Sequence, residues 1–121
     1  MNRRRRPAYG PRRPRHNVPV NIAETATAFE AHVFCTGFPK EALNVQLTNG
    51  GIYISGTMPA RDSYPDFLLQ EYPVKSFERF FELSERVDVR AVTARHEDGI
   101  LKISAPKVAG SRTEERRVEI D

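Results

Sequence analysis

The stretch Ala94-Arg95-His96-Glu97-Asp98-Gly99-Ile100-Leu101-Lys102-Ile103-Ser104-Ala105-Pro106-Lys107 decides the fold. Leu101, Ile103 and Ala105 alternate with Lys102 and Ser104, and that period of two puts the apolar side chains on one face of a strand. Upstream, Val92 and Ala94 are compatible with a second strand. Asp98-Gly99 between them is a turn signal, because both residues accept a positive φ. Pro106 has no N–H for a ladder and stops the second strand. The unit reads as strand, tight turn, strand.

The same period extends outward in both directions. Val20-Asn21-Ile22 alternates once, as a short edge strand does. Phe29, Ala31, Val33 and Cys35 fall on one face, with Glu30 and His32 on the other, and Gly37-Phe38-Pro39 ends that strand. Leu43, Val45 and Leu47 alternate with Asn44, Gln46 and Thr48. Asn49-Gly50-Gly51 is a hairpin turn, and Ile52-Tyr53-Ile54-Ser55 returns antiparallel up to Gly56. Phe77, Phe81 and Leu83 share a face with Arg79, while Phe80 points the other way between Glu78 and Glu82; Val87 and Val89 follow. Seven or so short strands with turns between them, and no sustained helical period, predict an all-β chain. The expected architecture is an antiparallel immunoglobulin-like β-sandwich with minor helix.

The 121 residues amount to one domain. No apolar run approaches the ~20 residues of a membrane-spanning helix. The basic start, Met1 to Arg6, is followed by no apolar region of the secretory kind, so a cytoplasmic protein is expected. Charge divides the chain more sharply than length does. Seven arginines (3, 4, 5, 6, 12, 13 and 15) and no acid lie in residues 1–16, giving +7; against a total of +3, residues 17–121 carry −4. Residues 1–17, with Pro7, Pro11 and Pro14 among mutually repelling arginines, read as a disordered arm. Residues 18–107 form the domain, and 108–121 a flexible C-terminal extension, polar and charged until Val118-Glu119-Ile120.

No enzyme constellation is present, and no catalytic, cofactor or metal residue is assigned. His16, His32 and His96 stand at metal-ligand spacing from no other ligand. His32 alternates with core positions and should face solvent; His96 reads as a turn flank. Cys35, the single cysteine, excludes an intramolecular disulfide and reads as a small buried hydrophobe. The arginine arm could contact phosphates with strong salt dependence and little sequence preference. The acidic body opposes that, and no compact aromatic and basic strand surface for stacking bases is evident. Specific nucleic-acid recognition is therefore not expected. An arm that solubilises, or that meets an acidic, RNA or membrane surface, stays open.

Two segments admit two readings each from composition alone. Phe67-Leu68-Leu69 lies inside a long connection, residues 57–76, broken by Pro59, Pro65 and Pro73. Either that loop folds back on its own domain, or it carries a strand that pairs with another subunit. Val118-Glu119-Ile120 is either a frayed tail or a segment suited to strand addition, with two pockets taking alternate side chains.

The opening stretch, from Ala94 to Lys107, resembles the A-x-x-x-D/N-G-V/I-L-x-I-x-x-P-K signature of small heat-shock proteins, the α-crystallin-domain family. Phe77-Glu78-Arg79-Phe80-Phe81-Glu82-Leu83 is similar to that family's F-x-R-x-F-x-L strand, and Gly37-Phe38-Pro39-Lys40-Glu41-Ala42-Leu43-Asn44-Val45 to its G-F-x-K-E-x-L-x-V segment. Val118-Glu119-Ile120 matches its C-terminal I/V-x-I/V motif. Cys35-Thr36 replaces the usual Leu-Pro, Ser84 replaces a proline, and the arm is short and arginine-rich where family arms are longer and apolar.

The resemblance implies an ATP-independent chaperone that holds partly unfolded client proteins, built from homodimers and higher oligomers. An adaptor-type sandwich that binds folded partners is the other protein-binding reading. In the bacterial and plant branch, a strand from the long loop crosses to the partner's sandwich. That implies a dimer interface of Phe67, Leu68 and Leu69 against Val20 and Ile22, with Arg79, at the family's signature arginine, in a carboxylate pair. It also implies that Val118 and Ile120 dock in a groove formed by Leu43, Val45 and Leu47 on one side and Val92 and Ala94 on the other. Clients would compete for that same groove.

Overall fold

The computed structural model of the chain describes residues 17–48, 50–58, 65–72, 75–108 and 116–121. Expectations for the arm to residue 16, for Asn49, for residues 59–64 and 73–74 of the long connection, and for residues 109–115 lie outside that set.

The described residues form an antiparallel β-sandwich. Its strands are β1 (Val20–Glu24), β2 (Ala28–Phe34), β3 (Leu43–Thr48), β4 (Gly51–Gly56), β5 (Phe77–Glu82), β6 (Thr93–Glu97), β7 (Ile100–Pro106) and β8 (Arg116–Val118). One sheet has the order β1-β2-β7-β6, the other β5-β4-β3-β8. Among the described residues, helix is confined to two short 3-10 turns, Lys40–Ala42 and Val89–Ala91.

Alternation sets which residues enter the core. Val33 and Cys35 from β2 and its end, Leu43, Val45 and Leu47 from β3, Ile52 and Ile54 from β4, and Leu101, Ile103 and Ala105 from β7 are all buried between the sheets. Their alternate neighbours Asn44, Gln46, Lys102 and Ser104 point away from it, as the period of two requires. The β6–β7 hairpin turns on Asp98 at φ 57° and Gly99 at φ 76°, the double positive φ that matches the twist of the flanking strands.

The structure departs from the sequence reading after β5. Val87 forms only an isolated bridge with Lys107, and Val89 sits in a 3-10 turn rather than a strand. The Asp88 carboxylate accepts a hydrogen bond from the Arg90 N–H at 3.2 Å and caps that turn. Both valines are still buried, so the apolar pattern was read correctly and the backbone was not. β6 accordingly begins at Thr93, with Val92 just before it.

Close approach decides Gly51 and Gly56, the latter against the Phe77 ring. A Cβ at Gly51 would collide with the Phe80 ring, which lies against it from the neighbouring strand β5. The missing side chain lets an outward-facing aromatic group lie flat on the sheet.

Candidate functional site

The sandwich has two long sides where the sheets come apart, and they differ. On one side the gap lies between β3 and β6, and the C-terminal segment fills it. β8 runs antiparallel to β3 with Val118 opposite Val45 and Arg116 opposite Leu47. Two residues on, Ile120 bridges Ala94 of β6 in the other sheet. The Asp121 N–H donates to the Ala94 carbonyl and the His96 N–H donates to the Asp121 carbonyl, each at 2.8 Å. The four residues from Val118 to Asp121 therefore tie one sheet to the other through main-chain pairing.

Side chains follow from that register. Val45 faces the core, so Val118 opposite it does too, and Val118 is only 2% exposed. Glu119 points to solvent, and Ile120 packs against the core cluster. Leu43, Val45, Leu47, Val92 and Ala94 are all buried along this groove. Burying two aliphatic side chains gives roughly 3–5 kcal/mol gross, reduced by the entropy of ordering the residues that lead to them.

The opposite side is open. β1 is the edge of its sheet and β5 the edge of the other. Between them runs an apolar gap lined by Ile22, Phe29, Ile52, Ile54, Phe81 and Leu83. Val20 packs against the core cluster, and Ile22 looks into this gap. Among the described residues of the long connection, none lines it. Within the single chain, residues 65–72 contain no strand. Phe67 and Leu69 are 47% and 75% exposed and Leu68 fully so. Within the single chain Leu68 and Leu69 thus stand largely in solvent, and Phe67 is about half covered. The Tyr72 hydroxyl donates to the Thr36 carbonyl at 2.6 Å, and the Thr57 N–H donates to the Ala42 carbonyl at 2.9 Å.

Arg79 lies at this open side. Its Nη1 donates to the Val18 carbonyl at 2.6 Å, and its guanidinium lies 5.1 Å from the centre of the Phe81 ring. The contact with the Val18 carbonyl brings the start of the domain against β5. Asn17 does the same, its side-chain amide donating to the Glu78 carbonyl at 3.0 Å.

Several titratable groups take part in contacts that brace the sandwich. His32 is exposed, as expected. His96 is not a turn flank: it sits within β6, its N–H holds the tail, and its Nε2 is buried without a hydrogen-bond partner. Cys35 is fully buried, and desolvation pushes its thiol above the usual range. Lys107 donates to Glu24 Oε2 at 2.8 Å and to the Thr25 carbonyl at 2.7 Å, and lies 5.0 Å from the centre of the Phe29 ring. The Lys107 hydrogen bond holds the Glu24 carboxyl below its ordinary range. Lys102 and Arg95 do the same to Glu97. Among the described residues, no group of three or more His, Cys, Asp or Glu is placed to hold a metal ion. None of their helices is long and apolar enough to cross a membrane.

This arrangement matches a known family. The model of the Hsp20/alpha crystallin family matches residues 21–121. The chain belongs to the Hsp20/α-crystallin family. It is 34% identical over 110 residues to the 17.4 kDa class I heat shock protein of Arabidopsis thaliana, covering 86% of this chain and 69% of that protein. It is 27% identical over 95 residues to the chloroplastic heat shock 22 kDa protein of Chlamydomonas reinhardtii, covering 75% of this chain and 60% of that protein's length. Among solved structures, a small heat-shock protein from Xylella fastidiosa aligns with a TM-score of 0.69 at 28% identity, covering 86% of this chain and 95% of the other. The hspA structure from Xanthomonas axonopodis aligns with a TM-score of 0.69 at 27% identity, over 78% and 96% of the two chains. The sandwich is thus the Hsp20/α-crystallin fold.

Sequence reasoning missed three features of the site. The Asn17–Glu78 and Arg79–Val18 contacts join residues 61 apart and leave no local signal. The role of His96 is carried by its main chain, which no side-chain pattern records. The Tyr72–Thr36 contact likewise has no motif.

Proposed function

We propose that the chain is an ATP-independent holdase chaperone built from strand-swapped dimers. The observation that carries the reading is the β3–β6 groove. It receives an extended apolar segment through main-chain hydrogen bonds, with Val118 buried and Ile120 half-buried. Such recognition asks only for an extended backbone with apolar groups two residues apart, which an unfolded chain supplies in many places. The tail is then a resident occupant of weak affinity that clients displace, and holding them disfavours aggregation by mass action.

The second copy follows from the open side. Phe67, Leu68 and Leu69 are apolar groups without a surface, and the gap beside β1 is an apolar surface without a cover. A strand from a partner's loop, added to the free edge of β1, places Phe67 and Leu69 on one side and Leu68 on the other. It buries apolar area and removes an edge that would otherwise invite aggregation. The loop of twenty residues can reach tens of ångströms, at about 3.3 Å per residue.

The groove is tested by a photo-crosslinking residue at Gln46, which is exposed and lies opposite Arg117 of β8. It should capture the tail at rest and a denatured client on heating. Crosslinks to the tail alone under both conditions contradict the groove as a client site.

A further inference from the structure

The outward face of β5 is an acidic and aromatic surface that stays partly open to solvent. Glu78, Phe80 and Glu82 all point away from the core, and Phe80 is 49% exposed. Across the sheet Tyr53 of β4 lies opposite Phe80, and its hydroxyl donates to Glu78 Oε1 at 3.1 Å. β5 is also the edge of its sheet. Arg117 of β8 lies at the far edge of the same sheet, three strands away, so the acidic side is not neutralised from within the sheet.

The start of the described chain is fixed at this same strand. Asn17 donates to the Glu78 carbonyl, and Arg79 donates to the Val18 carbonyl. The sixteen residues before Asn17 therefore leave the sandwich beside Glu78. They hold seven arginines and no acid.

From these placements we infer that the arginine arm of residues 1–16 docks on the outer face of β5 of its own chain. Guanidinium groups bind Glu78 and Glu82 and stack on Phe80. The chemistry suits arginine in particular. Its planar fork pairs with a carboxylate through two parallel hydrogen bonds and also stacks on an aromatic ring. The dimensions agree. Glu78 and Glu82 are four residues apart on a strand, roughly 13 Å. Arg12 and Arg15 on an extended, proline-rich backbone are about 9 Å apart, and their long side chains close the difference. Arg15 is two residues from Asn17, so closing the loop costs little entropy and the local concentration of arginine is high. Docking covers the β5 edge and withholds the arm from phosphate groups.

Trypsin tests this on the full-length chain at low salt. The bonds after Arg12 and Arg15 are cleavable, whereas Arg6 and Arg13 precede prolines and resist. In the native protein, cleavage after Arg12 and Arg15 should be slow, several-fold faster in the Phe80→Ser, Glu82→Gln variant, and equally fast in the native protein at high salt. Protection should not change with protein concentration; protection that fades on dilution would place the arm on a neighbouring copy and overturn the assignment. Equal cleavage rates in native protein and variant would also overturn it and leave the arm open to an RNA or other anionic partner. Hydrogen exchange of the β5 amides in the Arg12→Gln, Arg13→Gln, Arg15→Gln chain, whose sandwich is unaltered, is the second readout. Faster exchange than in the native protein supports docking, and unchanged exchange overturns it.

Discussion

Val118 lies opposite Val45 in antiparallel register, and both side chains are buried between the sheets. A residue three places from the end of the chain thus completes a core that begins at Val18. With Ile120 bridging Ala94, the same few residues span both sheets.

Replacing Val118 and Ile120 together by alanine removes most of the apolar contact and leaves the main-chain hydrogen bonds. About 3 kcal/mol of gross docking energy is lost. The tail should then be released for most of the time. The groove should then bind an apolar dye more strongly. Unchanged dye binding would mean that these two side chains do not hold the tail.

The loop substitutions Phe67→Ser and Leu69→Ser alter side chains that contact nothing in the single chain's core, so the thermal midpoint of an isolated subunit should hardly move. The dimer should weaken by two orders of magnitude or more, equivalent to about 3 kcal/mol. Sedimentation over a concentration series separates these outcomes. A dimer of unchanged strength would remove the loop from the interface.

Lys107 and Glu24 set an acid limit on the β1–β2 end of the sandwich. Glu24 is held below its ordinary value of 4.5, so its contribution is complete above that pH and is lost as pH falls through the lowered value. The urea midpoint should fall on acidification below about 4.5. Lys107→Met should lower the midpoint at neutral pH and reduce the further fall in acid. Parallel curves for the two proteins would show that this pair adds nothing.

Cys35 is fully buried and its thiol is pushed up by desolvation, so little reactive thiolate exists near neutral pH. A thiol reagent should label the native protein slowly and the urea-unfolded protein at once. Rapid native labelling would indicate that the end of β2 opens readily.

How much of this could be read from residue order depends on the range of each signal. The faces of β2, β3 and β7 were legible because burial on a strand repeats every second residue. The Asp98-Gly99 turn was legible because few residue pairs accept its backbone. Val87 and Val89 kept the same apolar rhythm while entering a 3-10 turn, since a turn and a strand can both bury alternate valines. Composition showed that Val118 and Ile120 share a side but not which strands lie beside them, because β3 and β6 come together only when the sandwich closes. The open gap draws side chains from β1, β2, β4, β5 and β7, and no local window holds them all. Asn17 and Glu78 meet only after the sandwich closes.

The central claim is that this sandwich holds unfolded chains by binding alone. The direct measurement is light scattering from a heat-denatured client, with and without the full-length protein, in the absence of nucleotide. The account predicts that near-equimolar protein suppresses scattering and leaves client in soluble complexes. Undiminished aggregation at several-fold excess over client would contradict it.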